Sequence, residues 1–373
     1  MATRRRLSHS SKTVLRLMVR WIAGGVVATL LMWLVSGAFV DSVTTLAYSP
    51  ELGRYVHQPG VVRRVRTEGW ADSRYGSLDI LGTPNAEANR GRCVMVWGDS
   101  FVEGSQVDDD AKVANQLMQL LSPLDLGGIG VGLSGRAAVD IYFDLPKYEK
   151  LLEPTAHFVI LPSIDDACPD GVAFRSAPKL ELVPRPEPTQ FLGLREFVAN
   201  SRAEFLYSAY LNLKAALPAA GVRSLRFSLG PAPVALAAEK SRPKPEDLVD
   251  SWRFLIREFR RQTDRPVTFV YAPNVPLIEA GQLIREHGEE EYVQRFAKVC
   301  HEERTAFIDM TPRFLAFYEK TGRFPCGFAN SQVSKGHWNS DGHRLVAEAI
   351  AGDCERLVRL ERRQGRRDVV HAD

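Results

Sequence analysis

From Trp21 to Val40 the chain reads WIAGGVVATLLMWLVSGAFV, twenty residues without one charged side chain. A helix of that length rises about 30 Å, the thickness of a bilayer's hydrocarbon core. The stretch has no polar face, so it predicts a membrane span rather than the buried helix of a soluble core. Past residue 41 the pattern changes. Short apolar or β-branched runs at Cys93–Trp97, Leu124–Val131, Phe158–Leu161, Val267–Tyr271 and Ala306–Asp309 predict strands. Helical apolar spacing recurs at Lys112–Leu121, Ala137–Leu152, Leu277–His287, Glu290–Glu303 and Arg344–Leu360. Strands and helices in alternation predict an α/β domain with a parallel sheet covered on both faces. Sites in such sheets form at the carboxyl ends of the strands. The stretch 168–265, with the proline-rich VPRPEP and helical candidates at Arg195–Leu217 and Glu246–Arg261, interrupts the alternation as an insertion. The organisation expected is a basic tail (1–20), a span (21–40), a lead-in (41–88), the α/β domain (89–360) and a second basic tail (361–373).

Charge gives the span a direction. Residues 1–20 hold six bases (Arg4, Arg5, Arg6, Lys12, Arg16, Arg20) and no acid, and the next base after the span is Arg54. The positive-inside rule puts the tail in the cytoplasm and everything after about residue 41 outside it. A cleaved signal peptide is the competing reading, since Ser36-Gly37-Ala38 is a small-x-small site. The whole chain carries a net charge of +3, which comes from that tail; this argues against a nucleic-acid partner. The composition, 45% hydrophobic and 25% charged, is that of a globular protein and excludes a disordered or polytopic chain. The five cysteines include no C-x-x-C pair, so neither a zinc site nor any other metal centre is expected. Outside the cytoplasm at most two disulfides would form. Cys93, inside an apolar strand, is expected to stay a buried thiol, and Cys168 with Cys326 is the first candidate pair.

Two segments carry chemistry. In VMVWGDSFVEG an apolar strand runs through Gly98-Asp99-Ser100 into a helix, which displays the Ser100 hydroxyl at the strand's carboxyl end beside backbone N–H groups that can meet an oxyanion. The bland alternative is that Ser100 caps a helix. In Gly336-His337-Trp338-Asn339-Ser340-Asp341-Gly342-His343 two of the chain's eight histidines are expected in a polar loop that leads into the last helix. A serine becomes a nucleophile when a base takes its proton, and histidine is the usual base. Ser100 and His337 are therefore expected within hydrogen-bond reach at one end of the sheet.

The segments VMVWGDSFVEGSQV and GHWNSDGHRLVAEAI resemble the first and last blocks of the SGNH/GDSL hydrolase superfamily, in its membrane-anchored bacterial envelope type. The resemblance covers about 89–360, the insertion excepted. It implies a flavodoxin-like doubly wound parallel sheet, the SGNH hydrolase fold, preceded here by one transmembrane helix. It further implies serine esterase or acyltransferase chemistry without a cofactor, Ser100 as nucleophile and His337 as base, with His343 structural. Gly130-Val131-Gly132-Leu133-Ser134-Gly135 resembles the second block, which implies an oxyanion-hole amide at Gly135, with Gly132 as the alternative. Two positions depart from the family. Asp165, in Ser163-Ile164-Asp165-Asp166, stands where an oxyanion-hole Asn is expected. An ionised carboxylate cannot donate, so Asp165 is protonated, another donor replaces it, or the site is no ordinary esterase. Ser334 and Lys335 occupy the places where the acid that orients His337 is expected. A backbone carbonyl, Asp341 or Asp309 would have to serve instead. The function implied is an esterase or O-acyltransferase on acylated envelope or exported glycans, tethered to the cytoplasmic membrane. The other reading is a non-catalytic binding or scaffold protein in a polysaccharide export assembly.

Overall fold

The computed structural model describes residues 9–167, 174–176, 180–182, 192–201, 203–216 and 243–370. The chain opens with α1 (His9–Phe39), within which Thr13–Val35 is long and apolar enough to cross a membrane. None of that stretch is buried within the rest of the protein. The lead-in forms two antiparallel hairpins, β1 (Leu46–Ser49) with β2 (Arg54–His57) and β3 (Val62–Val65) with β4 (Ala71–Arg74). The α/β part follows as β5 (Cys93–Gly98), α2 (Ser100–Glu103), α3 (Val113–Leu121), β6 (Gly127–Gly132), α4 (Ala138–Leu152) and β7 (Ala156–Leu161). Within the insertion lie a small hairpin, β8 (Phe174–Ser176) and β9 (Leu180–Leu182), then α5 (Leu192–Ser201) and α6 (Glu204–Ala216). The rest is α7 (Pro245–Gln262), β10 (Val267–Tyr271), β11 (Leu277–Glu279), β12 (Gln282–Ile284), α8 (Glu290–Glu302), β13 (Ala306–Asp309), α9 (Thr311–Thr321), β14 (Cys326–Gly327), β15 (Val333–Trp338) and α10 (Ser340–Val370).

Five parallel strands make the central sheet, in the spatial order β13-β10-β7-β5-β6. Counted along the chain this is 2-1-3-4-5, a doubly wound order whose direction reverses at β5. The strands alternate between two cores, as the period-2 geometry of a strand requires. Cys93, Met95, Trp97, Val159 and Leu161 face a core shared with α4, α7 and α8. Val94, Val96, Phe158 and Ile160 face the one shared with α3, α9 and α10. Burial on both faces is why these strands read as unbroken apolar runs. The second strand begins later than Leu124. Gly127 and Gly128 open β6, and a Cβ on Gly128 would meet the Ala114 carbonyl at 2.5 Å, so α3 packs directly on its backbone.

Leu277–His287 is not a helix. It is the β11–β12 hairpin, joined through Ala280 (φ 48°) and Gly281 (φ 78°). Two successive positive φ angles define a type I′ turn, and this local geometry overrides the helical spacing of the apolar residues. The four described cysteines, Cys93, Cys300, Cys326 and Cys354, are free and buried. The expected Cys168–Cys326 bridge is therefore corrected: the Cys326 thiol lies in the core beneath β15, where burial raises its pKa, and Cys168 falls outside the described residues. Burial likewise pushes the Cys93 thiol up to about 12.

Candidate active site

The first strand of the sheet, β5, delivers Ser100. Gly98 allows the sharp exit, since a Cβ there would press on Val102 Cγ2 at 2.5 Å. Asp99 then caps the single turn of α2, its carboxylate accepting from the Phe101 N–H at 2.9 Å. Serine is thus the first residue of the turn, and aspartate, not Ser100, is the cap. Gly132, at the end of β6, has a steric role: a Cβ there would collide with the backbone of Glu103, so only glycine lets α2 sit on the sheet. Gly135 lies beyond it on an exposed turn, at φ 78° with open space around its α-carbon.

From the other side of the crevice β15 delivers His337, which is on a strand rather than in a loop. Its neighbour Trp338 pairs with Cys326 of β14. The imidazole packs on Phe101, with ring centroids 4.9 Å apart. Nε2 is 2.8 Å from Ser100 Oγ, and Nδ1 is 2.7 Å from Glu68 Oε2. The same carboxylate accepts the His337 backbone N–H through Oε1 at 2.7 Å. Burial alone would raise the Glu68 pKa, but the hydrogen bonds from the His337 ring and backbone outweigh it and hold the group below its ordinary value. An ionised Glu68 needs a donor, so it fixes the proton on Nδ1. That leaves the Nε2 lone pair facing the Ser100 hydroxyl.

Glu68 is the acid that motif spacing does not reveal. It sits in the turn of the β3–β4 hairpin, and that turn is held from two directions. Asn330 accepts from the Gly69 N–H (3.0 Å) and donates to the carbonyls of Gly69 (2.7 Å) and Arg66 (3.0 Å). Asp41 accepts from the Arg66 N–H (2.6 Å), the Thr67 N–H (3.1 Å) and the Thr67 hydroxyl (2.8 Å). Gly336 makes the approach possible: it adopts φ 96°, and a Cβ on it would collide with Glu68 Oε1. The residues expected to orient His337 are occupied elsewhere. Ser334 is buried and accepts from the Ile278 N–H at 2.8 Å, and Lys335 pairs with Glu279 at 3.0 Å. Asp309 accepts from the Thr311 N–H at 2.8 Å, and Asp341 pairs with Arg323 and Arg344. His343 is fully buried and accepts from the Val113 N–H through Nδ1 at 3.2 Å. Burial, with the charge of Lys112 next, pushes its pKa down to about 3, so it is a neutral packing residue.

The end of β7 carries acids. Asp165 is exposed, and its backbone N–H donates to Ser163 Oγ at 3.2 Å. Asp166 turns inward, and its carboxyl lies 3.3 Å from the Ser163 N–H. Burial, then the charges of Asp99, Asp165 and Glu289, raise its pKa to about 7. Glu289 accepts from Ser163 Oγ, the Ile164 N–H and the Tyr271 hydroxyl at 2.8 to 3.0 Å. Among the described residues no group of three or more His, Cys, Asp or Glu side chains is arranged to hold a metal ion.

No family model matches the sequence, and no curated protein matches it. Solved structures that align with this chain include the acetyl xylan esterase AlAXEase, at 13% identity and a TM-score of 0.39, covering 70% of this chain and 98% of that one. A catalytic mutant of Axe2, an acetylxylan esterase from Geobacillus stearothermophilus, aligns at 12% identity and 0.35 over 70% of this chain and 93% of that one. LAE5, an α/β hydrolase enzyme from the metagenome of Lake Arreo, Spain, aligns at 13% and 0.37 over 72% and 99%. At such scores the likeness has no bearing on function, which is left to the geometry of Ser100, His337 and Glu68.

Proposed function

We propose that this protein is a serine esterase or O-acyltransferase, tethered to the cytoplasmic membrane by α1 with its α/β domain outside the cytoplasm, acting on acylated envelope or exported glycans. The observation that carries this is the line Glu68–His337–Ser100, closed at 2.7 and 2.8 Å. His337 Nε2 takes the hydroxyl proton as Ser100 Oγ attacks the ester carbonyl carbon. Glu68 stabilises the imidazolium that forms and stays ionised itself. The backbone amides of Ser100 and Gly135 are the oxyanion donors. The tetrahedral intermediate expels its alkoxide, which takes the proton back from Nε2, and the acyl group is left on Oγ. Water or a sugar hydroxyl then gives its proton to His337 and attacks the acyl-serine. The acid or the new ester leaves, and the Ser100 hydroxyl is restored. No metal or organic cofactor enters these steps.

The second reading, a non-catalytic glycan-binding or scaffold protein of an export assembly, is favoured by Asp165 at the position of an oxyanion donor. A fluorophosphonate probe separates the two. Labelling of the full chain that disappears in Ser100→Ala supports the enzyme; an unlabelled wild type establishes the scaffold. Topology is tested by a reporter at the C-terminus, which is active outside the cytoplasm only if the domain is exported.

A further inference from the structure

The turn that carries Glu68 is fastened to the residues at which α1 ends. Besides the three hydrogen bonds that Asp41 accepts, the Arg66 Nε–H donates to the Ala38 carbonyl at 2.8 Å. Trp70 packs edge-on against Phe39, the last residue of α1, with ring centroids 6.2 Å apart. The Arg66 guanidinium lies over one face of Trp70, 4.5 Å from the ring centroid, and both aromatic side chains still remain largely exposed, Trp70 at 58% and Phe39 at 65%. Phe39 lies four residues beyond the apolar stretch that ends at Val35, a rise of about 6 Å. That is the height of the headgroup layer, where aromatic rings concentrate.

A second, independent contact lies deeper along the same helix. The Trp33 indole N–H donates to the Ser201 carbonyl at the end of α5, at 2.9 Å, and α6 packs against α1. Trp33 is six residues before Phe39, about 9 Å deeper along the helix axis. The junction of α5 and α6 therefore reaches down to the last turns of the span. These helices leave Phe197 (67%), Leu206 (54%) and Tyr210 (52%) exposed, with Leu206 and Tyr210 four apart on one face. Large apolar side chains bared beside a membrane helix are the mark of a segment that lies in the interface. Arg195 of α5 ties the segment back to the lead-in by donating to Thr44 Oγ1 at 3.3 Å.

We infer that Phe39, Trp70 and the α5–α6 segment seat the domain in the lipid headgroup layer, so that the ester Ser100 attacks is carried by an amphiphile held in the same membrane. The substrate part of this rests on the esterase reading above; the seating does not. The path from the Phe39–Trp70 pair through Glu68 and His337 to Ser100 is short. Two residues of chain and two hydrogen bonds put the hydroxyl on the order of 15–20 Å from the aromatic pair. The acyl carbonyl passes to Ser100 Oγ and the proton to the departing lipid alcohol, as in the soluble case.

The test uses the full chain in vesicles of phosphatidylethanolamine and phosphatidylglycerol. Two esters are compared, p-nitrophenyl acetate dissolved in water and p-nitrophenyl palmitate dissolved in the vesicles. Replacing Phe197 and Leu206 together by serine should lower palmitate hydrolysis about tenfold, through the apolar surface withdrawn from lipid, and leave acetate hydrolysis unchanged. Equal losses on both esters, or no loss on either, overturn the lipid-borne substrate. The seating has its own readout. The fluorescence of Trp70, taken as the difference between wild type and Trp70→Tyr, should be quenched by phosphatidylcholine brominated near its headgroup. Quenching by aqueous iodide alone overturns the seating and points to a protein partner on this face. Absence of any Ser100-dependent hydrolysis defeats the esterase reading, and the lipid substrate with it, while the bromolipid result still decides the seating.

Discussion

Ser100 and His337 are legible in the sequence because each is flagged locally. One follows an apolar strand through Gly-Asp into a helical turn, and the other precedes the last helix in a polar stretch. Glu68 is illegible for the converse reason. It lies 269 positions before its partner, in a hairpin turn without a motif, and its place depends on a glycine at the far end of the chain. The acid is nevertheless testable. Glu68→Gln keeps the shape but can present an N–H to Nδ1, which favours the wrong tautomer. The expected result is a fall in kcat of about 10⁴ with KM little changed, read from steady-state hydrolysis of an activated ester. Since Glu68 is held below its ordinary pKa, its bond to His337 is intact above pH 4.5 and is lost as the pH falls through the lower folded value. Asp166 behaves in the opposite sense. Its folded value of about 7 stands above the free value of 3.8, so the folded state holds the proton longer. Stability therefore declines as the pH rises from about 4 to about 7 and is level beyond. Asp166→Asn keeps an acceptor for the Ser163 N–H and removes that titration. Its melting temperature should exceed that of the wild type by a margin that grows from pH 5 to pH 8.

Element types were legible where a strand is buried on both faces, as in β5, β7 and β10, and where a helix has one apolar stripe, as in α7 and α8. They were not legible where a turn decides. Between Leu277 and His287 the apolar residues fall at helical intervals, yet Ala280-Gly281 at positive φ folds the segment back on itself. The side chains of this hairpin are largely exposed, so its turn, more than any core, specifies it. Alanine at φ 48° is strained where asparagine is not. Ala280→Asn should stabilise the protein by roughly 0.5–1 kcal/mol, seen as a raised denaturant midpoint with an unchanged m-value. The glycine-rich β6 teaches the same lesson from the other side. Its pattern looks weak because α3 packs on backbone where side chains would normally stand.

At the scale of the whole molecule, the alternation of strands and helices sufficed to anticipate a parallel sheet with a crevice at its carboxyl edge. What it did not convey is that 41–88 is more than a connector. Two hairpins fold onto the domain there, and one completes the line of groups facing Ser100. The join between Ala38, Asp41 and Arg66 bears on what happens if the chain is severed at the small-residue site Ser36-Gly37-Ala38. The released fragment would begin at Phe39, stripped of the carbonyl that receives Arg66 Nε–H. It would also gain an α-ammonium two residues from Asp41, a cation competing with the amides of Arg66 and Thr67 for the same carboxylate. The freed domain should still fold, since its sheet and both cores lie elsewhere. Its hydrolysis of a water-soluble ester should nonetheless be slower than that of the intact chain in detergent, with an unaltered circular dichroism spectrum. Equal rates would show that the join is passive. Slower ones would mean that, on the esterase reading proposed above, severing the chain at this site also disarms Ser100.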